Sequence, residues 1–159
     1  MEEYLSTTYR PDREYMDGVL LERNLGEYDH SNLQRVLVGY FYVHRNEWKV
    51  QASPAQRVQV KPKRFRVPDL CVVVGPGPFD QVFTTPPLIC MEILSKDDTM
   101  ESMQERIGEY LVFGVKYVWV ISPRTLRAWV YTSGGFYEAQ DRILRTENPE
   151  IVIPLAEIF

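Results

Sequence analysis

The spacing of hydrophobic positions changes several times along the chain, and each change marks a predicted element. The apolar stretch from Tyr15 to Leu21 is interrupted by Asp17-Gly18, a turn dipeptide that predicts a β-hairpin. Apolar residues from Leu33 to His44 then recur every three or four positions, as in an amphipathic helix. Asp29 or Ser31 is suited to cap its start.

The middle of the chain switches to strand patterns. Val58 and Val60 alternate with polar neighbours, which predicts a half-buried strand. The runs at 67–74 and 88–94 are almost continuously apolar, as in strands that are buried on both faces. Between them, prolines bound the segment 75–85, which predicts a loop because proline cannot join a central strand or a helix interior.

A second helix is predicted after the polar segment 95–99. Asp98 and Glu101 are spaced as a helix N-cap and its partner three residues on, and Gly114 is suited to end the helix. The apolar run from Tyr117 to Ile121 then reads as a strand reached by a helical crossover.

The C-terminal part reads as a closing hairpin, formed by 126–131 and 136–138, followed by a short final strand near 151–154. The predicted order is hairpin, helix, three strands, helix, strand and hairpin. The fold class is therefore α/β in the broad sense of a protein with both helices and strands. More narrowly, it is an α+β fold, with a central mixed sheet flanked by two main helices. The length of 159 residues fits a single domain over 1–159.

Composition narrows the function classes. The 18 Lys and Arg against 22 Asp and Glu give a net charge of -4, so no global basic field attracts nucleic acid and any such binding is local. Two cysteines, both inside apolar runs, favour a reducing compartment over a disulfide framework. No apolar stretch approaches about 18 residues. These features predict a cytoplasmic protein.

Each of the two buried runs carries one acidic residue, Asp69 in the first and Glu92 in the second. A buried carboxylate without a partner costs several kcal/mol, so a cation is expected beside them. If the two strands are adjacent, these carboxylates supply two hard ligands suited to Mg²⁺, with Mn²⁺ as a substitute. A lysine two residues after Glu92 would point into the same site, but position 94 is leucine.

This pattern resembles the PD-(D/E)XK nuclease superfamily, and more closely the Uma-two-type family of restriction-endonuclease-like proteins. The segments that carry the resemblance are Tyr15 to Glu22, His30, Arg66 to Asp69, Pro87 to Ser95 and Tyr110 to Pro123. The resemblance implies a restriction-endonuclease-like core and a metal-dependent DNA endonuclease that hydrolyses phosphodiester bonds.

In the Uma-two-type family an aliphatic residue commonly follows the glutamate by two positions, and a lysine on the next helix takes the place of the missing one. This chain has Leu94 and, at the helix position, Arg106. Arg106 shares a stripe with Met103, Ile107 and Tyr110, so it is expected to point inward. Arginine supplies positive charge but cannot act as a general base. Lys96 is the alternative source of a cation.

The resemblance also places Glu22 and His30 near the same cleft. Glu22 is a candidate third metal ligand, and His30 a candidate for contacting phosphate or relaying a proton. The alternatives are that Glu22 is a solvated strand end and that His30 bonds to nearby backbone at the helix start.

The dense basic run of the chain leads directly into the Asp69 strand. It comprises Lys61, Lys63, Arg64 and Arg66. These residues are candidates for binding the phosphates of DNA, or they form an ordinary solvated turn. The aromatic residues read as core or as a subunit interface, which makes a homodimer a further expectation.

The function predicted from the sequence is a Mg²⁺-dependent DNA endonuclease. One alternative is a catalytically impaired nuclease-like module that binds nucleic acid or protein, motivated by Leu94 and Arg106 in place of lysines. Another is a purely structural role in which Asp69 and Glu92 pair with Arg66 or Arg106.

Overall fold

The computed structural model describes residues 1–23 and 27–159, and the sequence between Glu22 and His30 lies partly outside these ranges. The α-helices are α1 (Glu2–Ser6), α2 (Tyr28–Val43), α3 (Arg45–Trp48) and α4 (Met100–Phe113), and a 3-10 helix covers Leu155–Glu157. The first strands are β1 (Arg13–Met16), β2 (Val19–Glu22), β3 (Val50–Pro54), β4 (Val58–Lys61), β5 (Arg64–Arg66) and β6 (Leu70–Val74). The later strands are β7 (Ile89–Ile93), β8 (Tyr117–Ser122), β9 (Arg127–Thr132), β10 (Gly135–Glu138), β11 (Ile143–Thr146) and β12 (Ile151–Pro154).

The central sheet has six strands in the order β10-β9-β8-β7-β6-β3. It is mixed, because β7 and β8 run parallel while their other pairings are antiparallel. A second sheet has the order β2-β1-β5-β4, and β11 pairs with β12. The predicted α+β class with a central mixed sheet, two main helices and terminal hairpins is confirmed.

The prediction of three strands between the main helices was wrong, since the chain forms five there and divides them between two sheets. The missed strands β3 and β5 contain polar or basic residues, and their pairing with distant strands overrides their weak local preference. The final strand β12 is present as predicted, but it pairs with β11, which the pattern did not indicate.

The two main helices cover opposite faces of the central strands. Leu33, Leu37 and Phe41 of α2 belong to one core cluster with Met91, while Met103, Ile107 and Tyr110 of α4 belong to another with Cys90. Side chains alternate along a strand, so Glu92 shares the α4 face with Cys90. This alternation directs the Glu92 carboxylate between the sheet and α4.

The helix starts differ from the prediction. The α2 helix begins at Tyr28 with Glu27 as its N-cap residue, not Asp29 or Ser31. Thr99 caps α4, because its hydroxyl accepts a 3.1 Å hydrogen bond from the Ser102 N–H. Asp98 instead accepts hydrogen bonds from Ser95. The prediction for the helix end is confirmed, since Gly114 ends α4 with φ of 116°.

The N-terminal hairpin forms as predicted, and its turn residues Asp17 and Gly18 both have positive φ, at 52° and 96°. Its outer strand β2 is exposed on both faces, including Val19, Leu20 and Leu21. Its inner strand β1 pairs with β5 and directs Glu14 inward. None of the helices in the described ranges is long and apolar enough to cross a membrane.

Candidate functional site

The fold brings Asp69 and Glu92 together. Asp69 immediately precedes β6 and Glu92 lies in the adjacent antiparallel strand β7, where Leu70 pairs with Met91. Both carboxylates contact the same nitrogen of Arg23, a residue that follows β2. Arg23 Nη2 lies 2.9 Å from Asp69 Oδ1 and 3.2 Å from Glu92 Oε2. Two acidic oxygens therefore converge on a single positive group.

Neighbouring donors hold the Asp69 carboxylate in place. The Ile93 N–H donates a 2.7 Å hydrogen bond to its Oδ2, and His30 Nε2 lies 3.3 Å from its Oδ1. Burial favours the neutral acid, but the hydrogen bond from His30 and the charge of Arg23 outweigh it and lower the pKa of Asp69. These contacts orient the Asp69 carboxylate and favour its ionised form.

Glu92 is completely enclosed between the sheet and α4, with 1% of its surface exposed. The Tyr110 hydroxyl donates a 2.7 Å hydrogen bond to its Oε1. Burial raises the pKa of Glu92, and repulsion from Asp69 and Glu14 adds to that rise while the charge of Arg23 opposes it. Its pKa stays raised even with Arg23 beside it, so further positive charge is needed to keep this carboxylate ionised.

Arg106 points inward, as its place in the helix stripe predicts. Its Nη1 is 3.6 Å from Glu92 Oε2, which is an ion pair but too long for a hydrogen bond, and its Nη2 is 3.3 Å from Glu14 Oε2. Within the described part of the chain, the buried Nε and Nη1 of Arg106 have no hydrogen-bond partner. Arg106 therefore places a second permanent positive charge beside Glu92, and two of its guanidinium nitrogens donate no hydrogen bond to the described residues.

Glu14 is a member of this cluster that the sequence reasoning missed. It is fully buried and accepts 3.0 Å hydrogen bonds from Arg66 Nη1 and from the Val67 N–H. The sequence did contain a signal for the inward position of Glu14. Met16 points inward on the same strand, and residues two positions apart on a strand share a face. The carboxylate that the N-terminal hairpin supplies is therefore Glu14.

The hairpin residue that was predicted, Glu22, lies on the exposed strand β2. The next residue, Arg23, turns toward Asp69 and Glu92 instead, and its N–H bonds to the Asp12 carbonyl at 2.8 Å. No local pattern marked Arg23, because its neighbours in β2 are exposed on both faces. His30, by contrast, lies beside Asp69, where the resemblance placed it.

The basic residues divide into exposed and internal groups. Lys61 and Lys63 are exposed, whereas Arg66 is buried and paired with both Glu14 and Glu109. Arg64 is partly buried and paired with Asp17, Glu105 and Glu109. The Arg66 guanidinium thus neutralises internal carboxylates and is not at the surface, where the sequence placed it for binding phosphate.

Lys96 lies at the surface near the site, where its Nζ is 2.6 Å from Glu27 Oε1. It lines the same groove as His30 and Leu94. A cavity of about 250 Å³ opens directly beside Asp69 and is bounded by Arg23, His30 and Gln34. Gln34 donates a 2.8 Å hydrogen bond to the Asp69 backbone carbonyl. Lys96 thus lies at the rim of the groove, and the small cavity reaches Asp69.

The described residues contain no group of three or more His, Cys, Asp or Glu side chains arranged around a common metal position. The convergent oxygens of Asp69 and Glu92 are nevertheless the type of donor that Mg²⁺ prefers, and Mg²⁺ often uses one or two carboxylates together with waters. The cation that both of these oxygens contact in the structure is the guanidinium of Arg23.

Replacing Tyr110 with phenylalanine is expected to lower the free energy of unfolding by about 1–3 kcal/mol, because Glu92 Oε1 loses its buried donor. Guanidinium chloride unfolding measures the change. The same replacement at Tyr137, which is 52% exposed, serves as the control and should cost far less. Equal losses in the two variants would contradict the importance of the Tyr110 hydrogen bond.

Comparisons with known proteins agree with this fold. The family model Uma2, described as "Putative restriction endonuclease", matches residues 1–157. A crystal structure described as a putative nuclease belonging to DUF820, from Anabaena variabilis ATCC 29413, shares the fold with a TM-score of 0.83. That protein is 21% identical, and the match covers 99% of this chain and 96% of the other. No curated protein matches. Because the family model spans almost the whole sequence, the chain belongs to the Uma2 family of putative restriction endonucleases, as its sequence predicted.

Proposed function

We propose that this protein is a metal-dependent DNA endonuclease that hydrolyses phosphodiester bonds and binds Mg²⁺, or Mn²⁺, through Asp69 and Glu92. One observation carries the proposal. Carboxylate oxygens from two adjacent strands meet a single cationic nitrogen at 2.9 and 3.2 Å, which marks a position built for positive charge. Membership in a nuclease family supports nucleic acid as the substrate.

The residues fit a divalent metal chemically. Asp69 and Glu92 are hard oxygen donors held by the Ile93 N–H and the Tyr110 hydroxyl, so neither carboxylate needs to reorganise far. When bound, the metal supplies charge stabilisation at the phosphate and lowers the pKa of water. The protein's part is to hold the two carboxylates ionised and correctly oriented.

Three further side chains have roles in the proposal. His30 lines the cavity beside Asp69 and is placed to contact phosphate or to relay a proton. Arg106 supplies permanent charge next to Glu92 and cannot accept a proton. Lys96, at the rim, is an alternative cation for a phosphate. Glu22 is exposed and has no assigned role here.

The DNA itself would be bound by exposed basic side chains. Lys61 and Lys63 remain the candidates from the basic run, since Arg64 and Arg66 are engaged with internal carboxylates. The exposed apolar strand β2 is a surface that a second copy could cover, so a homodimer stays a prediction.

A single domain over residues 1–159 is also a prediction.

The test is DNA cleavage by the purified protein with Mg²⁺ or Mn²⁺. We expect cleavage that disappears when a chelator removes the metal, returns when metal is restored, and is absent in the Asp69→Ala variant. The proposal fails if the wild-type protein, given either metal, cuts DNA no faster than the Asp69→Ala variant.

A second candidate is a nuclease-like module that binds nucleic acid or protein without catalysis. The specific observation in its favour is that Arg23 already neutralises both carboxylates, while leucine and arginine stand at positions 94 and 106. Calorimetric titration separates the two candidates. An inactive site of this kind should show no Mn²⁺ binding that depends on Glu92, as judged by the Glu92→Ala variant.

A further inference from the structure

Arg23 has an unusual position for a residue that follows an exposed strand. Its side chain is only 14% exposed, and one guanidinium nitrogen contacts both Asp69 and Glu92. The charges of Glu92 and Asp69 hold the pKa of Arg23 above its ordinary value although burial works against the charged form. Arg23 is therefore a permanent cation placed between the two carboxylates.

The backbone of Arg23 is fixed independently of its side chain. Its N–H bonds to the Asp12 carbonyl at 2.8 Å, next to the paired strands β1 and β2. This backbone hydrogen bond does not involve the guanidinium, so rotation of the side chain alone would not break it.

A divalent metal and the Arg23 guanidinium compete for the same oxygens. Mg²⁺ approaches carboxylate oxygens to about 2.0–2.1 Å and requires a near-octahedral arrangement around itself. A guanidinium nitrogen that already contacts both oxygens occupies that position, and its charge repels a second cation. A metal held by both of these oxygens would therefore require the Arg23 guanidinium to move.

We propose that Arg23 occupies the cation position of the metal-free site and that a divalent metal binds by displacing its guanidinium. This inference rests on the proposed function, because it assumes that Asp69 and Glu92 are metal ligands. In this inference Arg23 competes with the metal for the carboxylates of Asp69 and Glu92. The metal affinity of the wild-type protein is consequently lower than its two carboxylates would give alone.

The test is calorimetric titration of the whole protein with Mn²⁺ in the absence of nucleic acid. The Arg23→Gln variant is expected to bind Mn²⁺ about 10- to 100-fold more tightly than the wild-type protein, because the competing charge is gone. The Arg23→Lys variant should bind with intermediate affinity, since an ammonium lacks the planar fork that bridges two carboxylates. This second variant keeps the test decisive if Arg23→Gln fails to fold.

Arg127 provides a matched control, because it pairs with Glu138 within the β9–β10 hairpin. The Arg127→Gln variant should bind Mn²⁺ like the wild-type protein. A second readout is thermal stability. Without metal, Arg23→Gln should melt at a lower temperature than the wild-type protein, and Mn²⁺ should raise its melting temperature by more than it raises that of the wild-type protein.

Wild-type or weaker Mn²⁺ affinity in both Arg23 variants would overturn the competing role of Arg23. If the wild-type protein nevertheless binds Mn²⁺ and cuts DNA, the proposed function stands without this inference. Absence of Mn²⁺ binding in all variants, together with absence of cleavage by the wild-type protein, would overturn both.

Discussion

Under the proposed function, the Asp69→Asn variant is expected to cut DNA about 1,000-fold more slowly than the wild-type protein, or not at all, since losing a metal ligand removes several kcal/mol of charge stabilisation. Asparagine has nearly the same shape as aspartate but no charge. In addition, Asp69 accepts hydrogen bonds at both oxygens, from Arg23 and from the Ile93 N–H. An amide can accept at only one of them, so its NH₂ group must face a donor.

Single-turnover cleavage of a DNA substrate at saturating Mg²⁺ measures this loss. The lost hydrogen bond is also expected to lower the free energy of unfolding of the Asp69→Asn variant by about 1–3 kcal/mol. Circular dichroism at the assay temperature should therefore confirm that the variant is folded. Asp80→Asn is a suitable control, because Asp80 is an exposed residue of the loop between β6 and β7. Cleavage by Asp69→Asn at the rate of Asp80→Asn would refute a ligand role for Asp69.

Truncation of Glu14 in the Glu14→Ala variant is expected to lower the free energy of unfolding by about 3–5 kcal/mol, because it leaves buried arginines without their shared partner. Arg66 donates a hydrogen bond to Glu14, and Arg106 lies 3.3 Å from the same oxygen. The Val67 N–H would also lose its acceptor. Glu14→Gln keeps an acceptor and should cost less than Glu14→Ala.

Urea unfolding at neutral pH gives these free energies. Glu22→Ala is the matched control, because Glu22 lies on the same hairpin and is exposed. The free energy of unfolding of this control variant should stay within about 0.5 kcal/mol of the wild-type value. If Glu14→Ala is no more destabilising than Glu22→Ala, the buried network around Arg66 contributes little to the stability of the fold.

Local patterns predicted well the strands that are buried along most of their length. The run 88–94 became β7, which is buried throughout, and Tyr117 to Ile121 became its parallel neighbour β8. The Asp17-Gly18 hairpin and the Gly114 helix end also formed, because their φ angles depend on the turn residues themselves. Strand β5, with the sequence Arg-Phe-Arg, was missed because its burial depends on partners from other segments.

The residues of the candidate site likewise fall into those that local sequence patterns indicated and those that they did not. Asp69 and Glu92 stood out as acids within apolar runs, and Arg106 as the charged member of an apolar helix stripe. Their cationic partner could not be read from the sequence. Arg23 is 46 residues from Asp69 and 69 residues from Glu92 along the chain, and its neighbours in β2 are exposed.

By itself, the sequence determined that two carboxylates would be buried in apolar segments and would need positive charge, because apolar periodicity fixes burial locally. The pairing that makes these segments neighbours was decided by the tertiary structure. Only the tertiary structure decided which cation meets them, because the partner of a buried charge is set by the packing of distant segments. It placed Arg23 between Asp69 and Glu92, Arg106 against Glu92 and Glu14, and Arg66 inside rather than at the surface.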